Sequence, residues 1–220
     1  QQVRSAPATD HVIALLTARL HRLPSSTQRV LSLAACIGHR FDLQTLATIT
    51  ELSLTETAAA LWDALAEGLL VPLSTEYRYV HSAARDSIPG VPIVYQFLHD
   101  RVQQAAYASV SEPERAALHL QIGRLLRSGG DVADGDRLFE LVGHLNLGRT
   151  LIVDADEKQA LAQLDLEAGQ RAKAATAHEA AVQILAAGIS MLGPAGFQTA
   201  RALAFALHRE ELGRVHAALG

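Results

Sequence analysis

Apolar residues recur every three or four positions along most of the chain, which is the spacing of amphipathic helices. Asp10 precedes HVIALLTARLHRL and can cap a first helix that stops before Pro24. Ser25 or Ser26 is placed to cap a second helix, STQRVLSLAACIG, with Gly38 at its exit. The pattern therefore predicts two helices separated by a proline.

Two further helices are predicted directly downstream. Asp42 precedes a short apolar-faced segment, LQTLATIT. Ser53 and Glu56 form an S-x-x-E capping box before a fourth helix, which Gly68 terminates. Helices in close succession with tight turns indicate a helix-turn-helix core.

The periodicity then changes to short runs rich in Val, Ile and Tyr. LLVPL, YRYV and IVYQFL have the composition of β-strands, separated by an STE turn and a loop containing Pro and Gly. Helices followed by a small hairpin predict a winged helix, which we assign to residues 25–110.

The rest of the chain, residues 111–220, is predicted to be helical, interrupted by the polar loop SGGDVADGD. Between residues 160 and 192, small residues recur where two antiparallel helices could approach closely. This resembles the tetratricopeptide (TPR) type, without its fuller repeat signature. The predicted fold is mainly α: a winged helix with a helix-turn-helix core and a small β-hairpin or wing, then TPR-like antiparallel helical repeats.

Composition supports a globular helical protein. The 220 residues are 49% apolar but only 5% aromatic, so the core must be built from aliphatic side chains and alanine. Cys36 is the single cysteine, which excludes an internal disulfide and fits a cytoplasmic setting. No apolar run is long enough to span a bilayer and no signal pattern is visible, so we expect neither a membrane anchor nor export.

Charge argues against DNA as a partner. From Phe41 through Tyr77 there is no Lys or Arg. The same window contains the acidic residues Asp42, Glu51, Glu56, Asp63, Glu67 and Glu76. Because cations that neutralise phosphates provide most of the affinity for DNA, we expect no nucleic acid to bind here.

Motifs for catalysis and metal binding are missing. The chain has no G-x-x-x-x-G-K-[ST] phosphate loop and no G-x-S-x-G nucleophile elbow. Its ten histidines form no H-x-x-x-H pair, so we expect no metal site. We therefore assign no catalytic residues and predict that these 220 residues alone are not an enzyme.

Several stretches resemble a known family. RLHRLPSSTQRVLSLAACIGHRFDLQTLA, ALWDALAEGLLVP, YQFLHDRVQQAAYASV, HLQIGRLL, LVGHLNLG and LDLEAGQRAKAATAHEAAVQIL are similar to the region that follows the ATPase module in large bacterial signalling proteins. Those proteins combine a serine/threonine-kinase-like domain, an AAA/STAND-type ATPase, a GAF domain and often a histidine kinase. The resemblance implies that residues 1–24 are a linker helix from an upstream ATPase module.

The same resemblance singles out FLHD. It is similar to the MHD motif of plant disease-resistance NTPases, in which a winged-helix histidine approaches bound ADP. Carried over by position, His99 is the nucleotide sensor, Asp100 its helix-starting neighbour and Leu98 replaces the motif's Met. Arg101 is assigned to an interdomain ion pair rather than to a catalytic finger, with a solvated surface charge as the alternative. The plainer alternative is that His99 or Asp100 only caps a helix.

The sequence therefore predicts a non-catalytic regulatory segment. It would couple the nucleotide state of an upstream ATPase domain to downstream sensor and output domains of the same polypeptide, with ATP or ADP bound in the parent protein and no cofactor here. The alternatives are a DNA-binding transcription regulator and a pure interaction scaffold whose helical repeats hold a protein partner. Trp62 is expected in the core or as an interdomain anchor.

Overall fold

The structure is a computed structural model that describes residues 18–73, 92–128 and 135–217, together with residues 15, 75, 77 and 78. Its chain divides into two compact units, unit 1 (Gln1–Leu118) and unit 2 (His119–Gly220). The described residues are mainly helical, with one small three-stranded sheet. No helix among them is long and apolar enough to cross a membrane.

Unit 1 alternates helices with short strands. Residues 18–22 are helical and this helix ends before Pro24, as predicted. The elements that follow are α1 (Ser25–Ile37), β1 (Arg40–Asp42), α2 (Leu43–Thr50), α3 (Leu54–Ala66), β2 (Leu70–Pro72), β3 (Val94–Phe97) and α4 (Asp100–Ala108). Helix α5 (Glu112–Ser128) begins in unit 1 and contains the division between the units.

The sheet has the order β1-β3-β2 and is antiparallel throughout. Phe41 pairs with Tyr95, and Leu70 pairs with Phe97, so one face of the sheet carries large apolar side chains. Phe41, Tyr95 and Phe97 are fully or almost fully buried. The ring centroid of Phe41 lies 5.9 Å from that of Tyr95 and 5.7 Å from that of Phe97. This aromatic cluster is the centre of the core of unit 1.

Local signals set the helix ends of unit 1. Asp42 accepts a hydrogen bond from the Thr45 amide at 2.8 Å, which confirms it as the cap of α2. The capping box of Ser53 and Glu56 is complete, because the amide of each residue is bonded by the side chain of the other. Beyond α3, Gly68 has φ of +66° in a Schellman arrangement, which glycine adopts without strain.

Three sequence predictions for unit 1 are wrong in detail. Helix α1 begins at Ser25 with Pro24 in the N-cap position, so neither Ser25 nor Ser26 caps it through its side chain. Residues 77 and 78 of the predicted strand YRYV are helical, while residues 79 and 80 lie outside the described residues. Trp62 is 51% exposed, so the core alternative is wrong, and its role as an interdomain anchor stays a prediction.

The described part of unit 2 contains helices and no strand. They are α6 (Gly135–Leu147), a 3-10 turn (Arg149–Leu151), α7 (Ala155–Ala174), α8 (His178–Leu192), α9 (Gly196–Thr199) and α10 (Arg201–Ala217). Most of the predicted polar loop between α5 and α6 lies outside the described residues. The predicted domain boundary at residue 110 stays a prediction.

Glycines allow the helices of unit 2 to pack closely. A Cβ atom at Gly169 would lie 2.6 Å from Cγ of Leu185, and one at Gly188 would lie 2.9 Å from Cβ of Asp165. Both distances are shorter than van der Waals contact, so neither glycine can be replaced without movement of its neighbour. The close pairing of α7 with α8 follows from these small residues.

Candidate functional site

The candidate site lies where β3 passes into α4. Phe97, the last residue of β3, is buried, whereas the next residue, Leu98, is 53% exposed. His99 then adopts an extended backbone conformation and is the N-cap of α4. The strand predicted in IVYQFL is thus confirmed for Val94–Phe97, and the next helix begins at Asp100.

His99 caps the helix through its ring. Nδ1 of His99 accepts a hydrogen bond from the Arg101 amide at 3.2 Å, and the carbonyl of His99 accepts one from the Val102 amide at 2.9 Å. Because Nδ1 is the acceptor, the neutral ring carries its proton on Nε2. The cap therefore leaves an N–H donor at the far side of a half-buried imidazole.

Asp100, the first residue of α4, points into solvent with 75% of its side chain exposed. Its Oδ1 lies 3.1 Å from Nδ1 of His39, within ion-pair range but outside hydrogen-bond geometry. The carbonyl of His39 accepts a hydrogen bond from the Phe97 amide at 3.0 Å, which ties this second histidine to β3. The junction thus combines two imidazoles and one carboxylate.

Sequence reasoning missed His39. It lies just before β1, a three-residue strand that is recognisable only through its pairing with β3. Without that register, nothing in GHRFD links His39 to the FLHD segment. The structure brings His39 and Asp100 together although they are far apart in sequence.

Arg101 follows on the exposed side of α4. Its guanidinium donates a hydrogen bond to Oε1 of Gln104 at 3.3 Å, within the same helix. Its assignment to an interdomain ion pair stays a prediction. The plainer alternative, that His99 caps the helix, is confirmed by the hydrogen bond between its ring and the Arg101 amide.

Helix α4 is held against α1 by polar contacts. Oγ of Ser32 and Oγ of Ser109 lie 2.7 Å apart, and the side-chain amide of Gln103 donates to the carbonyl of Ala35 at 3.3 Å. Val102 and Ala106 are buried on the same side. The N-terminus of α4, and with it His99, therefore has a fixed position in unit 1.

Cys36 lies in α1 and is buried. Burial is the largest influence on its thiol and raises its pKa to about 11. Because the thiolate is the reactive form, this cysteine is chemically quiet at neutral pH.

Unit 2 contains buried polar groups that the sequence pattern did not indicate. Nδ1 of His119 and Nδ1 of His144 lie 2.9 Å apart, so one ring donates to the other. Asp165 is completely buried and accepts a hydrogen bond from Nδ2 of Asn146 at 2.6 Å. Among the described residues, no group of three or more His, Cys, Asp or Glu side chains could hold a metal ion.

A surface groove also lies within unit 2, with a volume of about 470 Å³. Its walls are formed by α7 and by the segment from Thr199 to Ala206. The lining combines amide, guanidinium and aliphatic groups, from Gln159, Gln163, Leu166, Arg201 and Leu203 among others.

Comparison with known proteins gives one informative similarity. The chain is 28% identical over 228 aligned residues to "Hybrid signal transduction histidine kinase G" of Dictyostelium discoideum, and the match covers 87% of the chain. It spans only 7% of the length of that protein. No protein-family model and no solved structure matches the chain. This distant similarity points to a signalling protein.

Proposed function

We propose that the chain is a non-catalytic regulatory segment of a multidomain signalling protein, in which unit 1 is a winged helix that responds to nucleotide on an adjoining STAND-type ATPase domain. Unit 2, with TPR-like helices, would connect this response to sensor and output domains. The observation that carries the proposal is the ring of His99, which caps α4 through Nδ1 and so keeps Nε2–H as a donor. The signalling class of the similar protein supports the same role.

The order of elements in unit 1 supports the winged-helix assignment. A helix and a strand are followed by two helices and two antiparallel strands, and the first strand joins the sheet beside the last. A helix-turn-helix core with a small wing has elements in this order, which supports the proposal. In the proposed winged helix, α3 would be the recognition helix.

The surface of α3 argues against a DNA-reading role. Its exposed positions include Glu56, Ala59, Trp62, Asp63 and Ala66, with no basic residue among them. Phosphates would be repelled rather than neutralised by such a surface. We therefore propose that α3 faces protein rather than nucleic acid.

The cap geometry is compatible with two roles of His99, one in stabilising α4 and one in contacting nucleotide. Nδ1 stabilises the helix, while Nε2–H can donate to a phosphate oxygen of ADP held by the adjoining domain. The positive end of the α4 helix dipole favours an anion at the same place. A hydrogen bond to a charged group contributes roughly 1.5–3 kcal/mol, which is enough to shift a two-state equilibrium at least tenfold.

The substitution His99→Ser separates these roles, since serine is a good N-cap but has no imidazole. In the full-length protein we expect wild-type folding stability and a loss of retained ADP, measured as nucleotide per protein after purification. Ser53→Ala is the matched control: it removes the cap of α3, at a cost of about 1 kcal/mol, and leaves nucleotide retention unchanged. Wild-type retention in His99→Ser would contradict the sensor role.

The groove of unit 2 favours a second candidate, an interaction scaffold. Its exposed amides, Gln159 and Gln163, together with Arg201, could bind the backbone of a partner segment. In that case His99 would be a cap alone. Unchanged nucleotide retention and basal signalling in His99→Ser, combined with loss of signalling in Gln163→Ala, would leave the scaffold as the function.

A further inference from the structure

The contact between Asp165 and Asn146 leaves two oxygen atoms without partners. Oδ2 of Asp165 and Oδ1 of Asn146 are both buried, and neither has a hydrogen-bond partner among the described residues. On the other side of the same contact, Nδ2 of Asn146 donates to Oδ1 of Asp165 at 2.6 Å. An ionised carboxylate would thus leave both buried oxygens without a hydrogen bond, which costs free energy.

We propose that Asp165 carries a proton in the folded protein and pairs with Asn146 as a carboxylic acid with an amide, which makes the joining of α6 to α7 dependent on pH. The proton on Oδ2 of Asp165 then donates to Oδ1 of Asn146, while the existing bond from Nδ2 is kept. One added proton satisfies both orphan oxygens, and the pair becomes a closed ring of two hydrogen bonds.

The packing around Asp165 supports a neutral side chain. Helix α8 faces the carboxyl with Gly188, where a Cβ atom would lie 3.4 Å from Oδ2, and Leu207 of α10 packs beside that glycine. The charged group that acts on the carboxyl is Arg149 of the 3-10 turn, and its influence is smaller than that of burial. From α6 the carboxyl is faced by the neutral amide of Asn146. Burial raises the pKa of Asp165 to about 7.

Because the pKa of Asp165 is raised in the folded state, its contribution to folding stability falls as the pH rises. The folded state keeps its proton above the pH at which an unfolded aspartate loses it, so the contribution of Asp165 to stability is greatest in acid. Between the ordinary aspartate value of 3.8 and about 7, the folding equilibrium constant falls about tenfold for each pH unit. Above neutrality the ionised pair weakens the contact between α6 and α7.

Carboxyl carbon-13 NMR of the whole chain tests the proposal directly. The Asp165 signal is assigned by its disappearance in Asp165→Asn, and its shift is followed from about pH 4 to about pH 9. We expect a midpoint near neutrality. Ionisation in the ordinary aspartate range would overturn the proposal.

The variant Asp165→Asn provides a second, independent readout. An amide can make the same two hydrogen bonds as the protonated acid but does not titrate. At about pH 8 we expect the amides of α7 to exchange at least tenfold more slowly in Asp165→Asn than in wild type, with no difference at about pH 4. Faster exchange in the variant at the higher pH would show that the charged form stabilises the fold.

The exposed Asp156 supplies a matched control on the same helix. Asp156→Asn removes the same charge and is expected to give no slowing of exchange at either pH. The buried His119 and His144 are unchanged in both variants. A difference between the two variants therefore isolates Asp165.

Discussion

The two units each bury a polar side chain with an unsatisfied oxygen, and the groups differ in their chemistry. In unit 1 the hydroxyl of Tyr95 is fully buried without a hydrogen-bond partner among the described residues, and burial raises its pKa to about 12. In unit 2 burial raises the pKa of Asp165 to about 7. The same physical cause gives unit 1 a core that stays neutral and gives unit 2 a core that titrates at neutral pH.

The units also differ in what determines their packing. Unit 1 is centred on the aromatic cluster of Phe41, Tyr95 and Phe97. Unit 2 depends on glycines that let helices approach, as at Gly169 and Gly188. Removal of bulk should therefore damage unit 1, whereas addition of bulk should damage unit 2.

The largest expected effect is in unit 1. Phe97→Ala should lower the free energy of unfolding by about 3–5 kcal/mol, because it leaves a cavity in the aromatic cluster. Urea unfolding followed by the fluorescence of Trp62, the single tryptophan, reports on this unit. The control is Leu73→Ala in the same unit, at a residue that is 46% exposed. Equal losses in the two variants would refute the central place of the cluster.

In unit 2 the opposite substitution should be harmful. Gly169→Ala places a methyl group against Leu185 and should cost roughly 1–3 kcal/mol. Gly143→Ala meets no atom within 4 Å and should stabilise α6 by about 0.5–1 kcal/mol. Hydrogen exchange of the α7 and α8 amides measures the first effect, and exchange of the α6 amides measures the second. Equal stability of Gly169→Ala and Gly143→Ala would contradict the close packing of Gly169 against Leu185.

The smallest effect is expected at Tyr95. Tyr95→Phe removes the unpartnered hydroxyl, and stability should stay equal or rise by up to about 1 kcal/mol. The change should be the same from about pH 5 to about pH 9, in contrast to Asp165→Asn, since the phenol does not ionise in this range. Thermal unfolding at several pH values checks this, and a loss of more than about 1 kcal/mol would indicate a hydrogen bond of the hydroxyl.

Local chemistry made parts of unit 1 predictable. The caps at Asp42 and Ser53 need only residues three positions apart, and Gly68 marks the end of α3 through its positive φ. Pro24 replaced the expected serine cap because the helix starts one residue earlier than a cap at Ser25 would allow.

Features that depend on distant residues were not predictable. Strand β1 exists through its pairing with β3, and the approach of His39 to Asp100 follows from that pairing. In unit 2, Asp165 lies in LDLEAGQ, where it is one of two acidic residues beside apolar positions, and acidic side chains are mostly exposed. Only the packing of α6, α8 and α10 around it shows that the carboxyl is buried.

The release of ADP from the full-length protein is the most direct test of the nucleotide-sensing role of His99. A chase of bound fluorescent ADP with unlabelled nucleotide gives the rate for wild type, His99→Ser and the cap control Ser53→Ala. We expect ADP release to be at least tenfold faster in His99→Ser, because one charge-assisted hydrogen bond of roughly 1.5–3 kcal/mol is lost. In Ser53→Ala we expect the release rate to be unchanged. Wild-type release in His99→Ser would contradict the nucleotide-sensing role and leave His99 as a helix cap.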